Sequence, residues 1–294
     1  MNKDYLIKAM DSERQLRVFL AHTTSLVEEA HRRHNTSATA SAALGRVLTA
    51  ALMMGSDLKG SNDALTLRVD GNGMAGPIVA AVNSGGQGRA FISNPQSDLP
   101  SRYPGKLAVG ELVGKDGFLE VIKDMGLKQP FIGRVPLVSG EIAEDLARYY
   151  LDSEQIPSLV SLGVLVDTDL SIKAAGGLFI QAMPGADQGI LEVVEKNVIK
   201  MGTISEVMNN SNSLEDILAQ VLQGMEYIIV GGQPLAFKCT CSHNRLAMIL
   251  ASFSSEEINE TYQNEGKLEV TCNFCNQIYY YVPEEIEAMK SKKP

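Results

Sequence analysis

The chain has 294 residues, 45% of them hydrophobic and 21% charged, ordinary proportions for a globular protein with room for a sizeable core. Its formal net charge of −9 and pI of about 5.1 argue against nucleic acid as the main partner. The opening Met1-Asn2-Lys3-Asp4-Tyr5 is unlike a secretory signal, and no apolar run approaches the roughly eighteen residues that span a bilayer, so a cytoplasmic protein without a membrane partner is expected.

In chain order, residues 4–9 and 14–21 read as two strands joined by a polar turn at Asp11-Ser12-Glu13. Thr23 or Thr24 is placed to cap a helix ending near His34. A stronger helix spans about 38–57, where Leu44, Val47, Leu48, Ala51 and Leu52 form a stripe at helical spacing that suits a core helix. Strands follow at about 64–70, 77–83 and 88–92. Between the first two, Gly71-Asn72-Gly73-Met74-Ala75-Gly76 is a literal G-x-G-x-x-G. A dinucleotide loop of that form must open a helix, whereas Pro77-Ile78-Val79-Ala80-Ala81-Val82 reads as a strand, so a glycine-rich hairpin is the better assignment. Further strands at 117–123, 131–138, 159–167 and 171–182 and a helix at 141–152 complete an α+β domain of mixed helices and antiparallel sheet, residues 1–185. No Ser/His/Asp triad or carboxylate pair is discernible in it. His22, His31 and His34 are expected on or near helix surfaces.

Residues 186–232 read as an amphipathic helical linker. Ile190, Leu191, Val194, Val198 and Met201 recur at helical spacing, and Ser213 heads a second stripe through Leu214, Ile217, Leu218, Val221 and Leu222 that ends at Gly224. Helices this short hold mainly by docking an apolar face on a neighbour. Met201, Met208 and Met225 would make such a face adaptable.

Residues 233–294 form the small C-terminal domain and hold all four cysteines, Cys239-Thr240-Cys241 and Cys272-Asn273-Phe274-Cys275, with the thirty residues 242–271 between the pairs. Leu268, Val270 and Cys272, then Ile278, Tyr280 and Val282, alternate with other residues, so the second pair sits on a hairpin knuckle. Ligands at i and i+2 of an extended segment share one side, so the first pair can face the same ion. Four thiolates suit one structural zinc ion, Zn2+, with Cys239, Cys241, Cys272 and Cys275 as metal ligands. Disulfides in a secreted chain and thioredoxin-like catalysis by the C-x-x-C are the weaker readings, and His243 is a bystander beside four thiolates. The rest of the domain reads as helices at 243–252 and from Ser254 through Tyr262, then a last helix from Pro283 with Glu284 and Glu285 first and Lys290, Lys292 and Lys293 last. From Pro234 on, six Lys/Arg stand against eight Glu, unlike a phosphate-gripping zinc finger.

The C-x-C, the thirty-residue spacer and the C-x-x-C, ending an acidic chain of this length, resemble the redox-regulated heat-shock chaperonin family of about 33 kDa. Arg32-Arg33-His34, Thr39-Ala40-Ser41-Ala42-Ala43-Leu44-Gly45-Arg46, Ser93-Asn94-Pro95, Val138-Ser139-Gly140-Glu141, Ala174-Ala175-Gly176-Gly177 and Met183-Pro184-Gly185 extend the resemblance over most of the chain. The resemblance implies a reduced, zinc-bound form that is inactive. It implies that oxidants form Cys239–Cys241 and Cys272–Cys275 disulfides, release zinc and unfold the tail and linker. The exposed surface then holds unfolding client proteins without ATP, and the active form can be a homodimer. Residues 1–185 would be the client-binding domain, with no individual residue assignable to the client surface. A constitutive interaction module with structural zinc, and an enzyme (a zinc hydrolase or dithiol oxidoreductase), remain as competing readings. The enzyme is the weaker, because four thiolates leave no coordination position for water.

Overall fold

A computed structural model describes residues 3–101, 105–187 and 189–290. The strands β1 (Tyr5–Asp11) and β2 (Leu16–His22) form a hairpin, followed by α1 (Thr24–His34) and the long α2 (Ala38–Gly55). Strands β3 (Ala64–Asp70), β4 (Ile78–Asn83) and β5 (Gln87–Ile92) lead to a short α3 (Val109–Val113), then β6 (Phe118–Asp124), β7 (Phe131–Pro136), α4 (Ala143–Asp152), β8 (Ser158–Val166) and β9 (Ile172–Ala182). Three helices follow, α5 (Ile190–Met201), α6 (Ile204–Asn210) and α7 (Leu214–Val221), and then β10 (Tyr227–Pro234) and β11 (Ala236–Phe237). The remaining elements are α8 (His243–Leu250), α9 (Ser255–Glu265), β12 (Leu268–Thr271), β13 (Ile278–Tyr281) and α10 (Pro283–Lys290). This is an α+β fold, and it divides into two compact units, Met1–Lys238 and Cys239–Pro294.

In the first unit one sheet runs β10-β1-β2-β9-β8 and a second runs β11-β5-β4-β3-β6-β7; all pairings are antiparallel except β11 with β5. The helix α2 packs against strands of both sheets. Contrary to the expectation that no apolar run approaches membrane-spanning length, its 18 residues, with mean hydropathy 1.3, are long and apolar enough to cross a membrane; the helix is almost wholly buried as a core element. The first sheet is buried on both faces. Leu6, Phe19 and Ala21 join the core around α2, while their neighbours Ile7, Val18 and Leu20 face a second core closed by α5, α6 and α7. Near-continuous apolar runs such as that of β2 are what two-sided burial requires.

Those three helices bury Val194, Ile204, Met208, Leu214, Ile217, Leu218 and Val221 against the sheet, with Met201 and Met225 packed at the margin. Residues 186–232 therefore lie within the first unit, and the chain continues in it through β10, which pairs with β1, and β11, which pairs with β5.

Several local features differ from expectation. Neither Thr23 nor Thr24 caps α1: the Thr23 hydroxyl bonds Thr49 at 2.7 Å, and the N–H groups of Ser25 and Leu26 donate instead to the buried Asp4 carboxylate at 3.1 and 2.5 Å. His22 is buried at the end of β2, its Nδ1 3.2 Å from Asp4 Oδ1, rather than on a helix surface. His31 lies on α1 and bonds Thr36 and Ser41, and His34 bonds the Ala90 carbonyl. The helices α3 and α6 and the strand β10 are not expected from the sequence. Met1, Asn2, Lys292 and Lys293 lie outside the described residues.

The loop Gly71–Gly76 joins two antiparallel strands. A Cβ on Gly71 would sit 2.2 Å from the Gly114 carbonyl oxygen, and one on Gly73 2.4 Å from that of Leu112. These glycines let the hairpin loop pack backbone to backbone on the end of α3, a structural use that leaves nothing for a pyrophosphate.

Candidate metal centre

Ser93-Asn94-Pro95 pins the glycine loop: the Asn94 side chain donates to the Met74 carbonyl at 2.8 Å and the Ser93 hydroxyl to the Pro77 carbonyl at 3.0 Å. Arg46 of α2 reaches Glu141 at 2.6 Å, and the wholly buried Asp145 accepts the N–H groups of Val138, Ser139 and Ile142. These motifs are thus scaffolding of the first unit.

The four cysteines lie in the second unit. Its core is small: Ala247, Ile258, Leu268, Tyr281 and Ile286 form its buried apolar cluster. Helix α9 begins with a capping box between Ser254 and Glu257 and ends at Gly266 in the left-handed region. The hairpin β12–β13 pairs Leu268 with Tyr281 and Thr271 with Ile278, and the Tyr281 hydroxyl donates to the His243 carbonyl at 2.9 Å, tying the hairpin to α8.

Cys272 follows β12 directly. Its N–H donates to the Gln277 carbonyl at 2.9 Å, while its own carbonyl accepts from the N–H groups of Cys275 and Asn276 at 3.3 and 2.8 Å. Asn276 takes φ of 56°, a left-handed position that Asn tolerates. This tight knuckle aims both thiols to one side. Cys239 and Cys241 lie on the chain entering α8, which Ser242 caps by accepting from the Arg245 N–H.

All four Sγ atoms lie within 4.8 Å of one another, and all four cysteines are free thiols. Sγ of Cys239 is 3.7 Å from that of Cys272, and Sγ of Cys241 is 3.3 Å from that of Cys275. A regular tetrahedron with metal–sulfur bonds of about 2.3 Å has sulfur–sulfur edges of about 3.8 Å. The donor set and its spacing therefore fit one tetrahedral metal ion. Cys272 and Cys275 are buried, and Cys239 and Cys241 are half-buried.

The thiols differ in acidity. Burial pushes the Cys275 thiol well above its ordinary range, with the adjacent sulfurs adding to the effect, and burial raises Cys239 too. Burial also acts upward on Cys241, but hydrogen bonds from Tyr279 and the neighbouring thiols outweigh it and bring Cys241 to about 7. The Tyr279 hydroxyl lies 3.3 Å from Cys241 Sγ; toward a metal-bound thiolate, which carries no proton, only the phenol can donate. His243 turns away: its Nε2 lies 3.2 Å from the Tyr280 carbonyl, where it can only donate, and its ring packs 4.3 Å from that of Tyr281. Tyr279 is the site residue that sequence patterning alone does not single out. The signal was its place in the hairpin, nine residues across from Val270 in register.

Known proteins match along nearly the whole chain. A family model described as Hsp33 protein covers residues 4–282. The 33 kDa chaperonin of Desulforamulus reducens is 46% identical over 285 residues, 97% of this chain and 96% of that protein. The 33 kDa chaperonin of a Geobacillus species is 42% identical over 98% of this chain and 97% of that one. The crystal structure of the 33 kDa chaperonin (heat shock protein 33 homologue) of Thermotoga maritima superposes with a TM-score of 0.90 at 34% identity, covering 99% of this chain and 98% of that one. With the fold, the cysteine spacing and the full-length matches in agreement, this chain belongs to the Hsp33 chaperone family.

Proposed function

We propose that the protein is a redox-regulated, ATP-independent holding chaperone rather than an enzyme, and that Cys239, Cys241, Cys272 and Cys275 are its switch. The observation that carries this reading is the convergence of four free thiols, the only cysteines of the chain, in a unit with a small core. Zinc is the ion that best suits four thiolates, and when bound it cross-links the knuckle to the chain ahead of α8 and supplies folding free energy. In that reduced state the chaperone is inactive.

Oxidation removes the donors. A cysteine sulfur attacks one oxygen of hydrogen peroxide; an S–O bond forms, the O–O bond breaks and hydroxide leaves. The second sulfur of the pair displaces hydroxide from the sulfenic acid, so two thiols lose two electrons and peroxide becomes two waters. With mutual distances all under 4.8 Å, proximity does not select the pairs. The family resemblance favours Cys239–Cys241 and Cys272–Cys275. Four oxidised sulfurs no longer hold a metal ion, and a core of five apolar side chains gives the tail little to stay folded on.

The functional division we propose is residues 1–185 as client-binding domain, 186–232 as linker and 233–294 as switch. Loosening of α5, α6 and α7 would uncover apolar faces on the helices and on the sheet beneath, which is the surface unfolding client proteins need. A homodimer of the oxidised form and a cytoplasmic location, where thiols stay reduced until stress, complete the reading. The test is light scattering from a thermally unfolding client, with the protein either reduced and zinc-loaded or pretreated with peroxide, and zinc release followed in the same samples. Suppression of aggregation only after treatment, in step with zinc loss, supports the switch. Equal activity of the reduced form would make the centre purely structural.

A further inference from the structure

We propose that Tyr279 is a positioning residue that sets how fast Cys241 reacts with oxidant, through the hydrogen bond its hydroxyl donates to the Cys241 sulfur. This regulation of the same site rests on the redox reading above.

The geometry separates two tyrosines of one strand. Tyr279 and Tyr281 are two apart on β13, so their side chains leave the same face of the hairpin. The Tyr281 hydroxyl is spent on the main chain, at the His243 carbonyl, and its ring is buried against the small core. The Tyr279 hydroxyl instead meets sulfur, 3.3 Å from Cys241 Sγ. Same residue type and same face, but one is a structural tie and the other touches the reacting atom. The Cys241 end of the centre is also the more open one, because Cys241 is half-buried whereas Cys272 and Cys275 are buried.

The lone pair of Cys241 Sγ that must attack peroxide is the electron density on which the phenol O–H draws. The S–O bond forms from that pair, the O–O bond breaks and hydroxide leaves; Cys239 Sγ then displaces hydroxide to close the disulfide. A donated hydrogen bond stabilises the sulfur before attack more than in the transition state, where its charge is passing to oxygen. It therefore slows the step. Thiolate nucleophilicity changes by a little under half of any change in sulfur basicity, so losing one charge-assisted hydrogen bond should speed attack about 3- to 10-fold. The bond thus acts as a brake that keeps the switch off at low oxidant.

The experiment uses the full-length protein, wild type beside Tyr279→Phe, Tyr279→Ala and Tyr281→Phe, each zinc-loaded. Metal release is timed against excess hydrogen peroxide, and the sulfur-to-metal charge-transfer band is recorded on cobalt-loaded samples. Tyr279→Phe keeps the ring and removes only the hydroxyl. The expected result is one metal bound per chain, a shifted cobalt band and release about 3- to 10-fold faster. Tyr281→Phe loosens the hairpin without shifting the band. Three results would overturn the proposal: wild-type rates in Tyr279→Phe; acceleration in Tyr279→Ala alone, which would assign the effect to ring cover; or equal acceleration in Tyr281→Phe with no band shift in either. Failure of the redox reading itself would look different: metal release would keep its order among the four proteins, but peroxide treatment would not improve suppression of client aggregation in any of them.

Discussion

The two units bury apolar side chains on very different scales. Met1–Lys238 has two cores, one around α2 between the sheets and one beneath α5, α6 and α7. Among the described residues of Cys239–Pro294 there is one small cluster, with five buried apolar side chains, and two cysteines are buried in the same unit. A unit of under sixty residues ordinarily needs a staple, and the sulfur cluster is positioned to be one. The contrast teaches where a chemical signal can act: oxidation can remove a metal cross-link in one step, whereas no comparable event removes a packed core. Between these extremes stand α5, α6 and α7, short helices whose stability lies in docking.

Metal removal should widen the contrast most. Chelation of the reduced protein should cost the tail roughly 10 kcal/mol, the scale of structural zinc in small modules, and unfold it. Two-dimensional amide spectra should then show residues 239–290 collapsing to random-coil shifts while β1–β9 keep theirs; a tail still folded without metal would erase the distinction. Cys275→Ser should reproduce that state without a chelator.

An apolar truncation in α7 comes next. Ile217 is fully buried against the first sheet, and Ile217→Ala should cost about 2–5 kcal/mol of docking. Reduced, metal-loaded Ile217→Ala should hold clients in part without oxidant, as read by light scattering. Unchanged silence would mean that these helices do not cover the client surface.

Acid should act on the body with a definite sign. Burial alone would raise the Glu141 carboxyl, but hydrogen bonding and charge from Arg46, with Lys106, hold it below its ordinary 4.5. Because its folded pKa is depressed, this contribution is complete above about pH 4.5 and fades as pH falls through the lower folded value. Thermal melts of Glu141→Gln should therefore lie below wild type near neutrality and converge with it in acid. A constant gap down to low pH would assign the loss to packing instead.

The smallest effect belongs to the tail. Ser254→Ala removes the cap of α9 and should cost about 1 kcal/mol, read as faster metal loss to a competing chelator.

Much of this was legible in the sequence, for identifiable reasons. Strands such as β3 and β4 alternate cleanly because one face is buried, and α2 carries its stripe within one local stretch. The cysteine cluster could be read from spacing because two short motifs at fixed offsets suffice to direct four ligands. What escaped depends on distant partners. Strand β10 holds Ile228, Ile229 and Val230 without alternation, followed by Gly231 and Gly232, and is a strand because β1, more than two hundred residues earlier, offers it an edge. The cap of α1 comes from Asp4 across a hairpin rather than from the adjacent threonines. Burial of His22 follows from the same arrangement. Tyr279 reaches Cys241 only once the hairpin and the chain ahead of α8 meet.

Oxidation of the four sulfurs should unfold one unit and loosen the linker helices while the rest of the body stays intact. Hydrogen exchange read by mass spectrometry, on the reduced metal-loaded protein and on protein with all four cysteines oxidised, tests it directly. Residues 239–290 should lose protection fully and 190–221 in large part, while α2 and β1–β9 exchange as slowly as before. Protection retained over 239–290 after complete oxidation would contradict it.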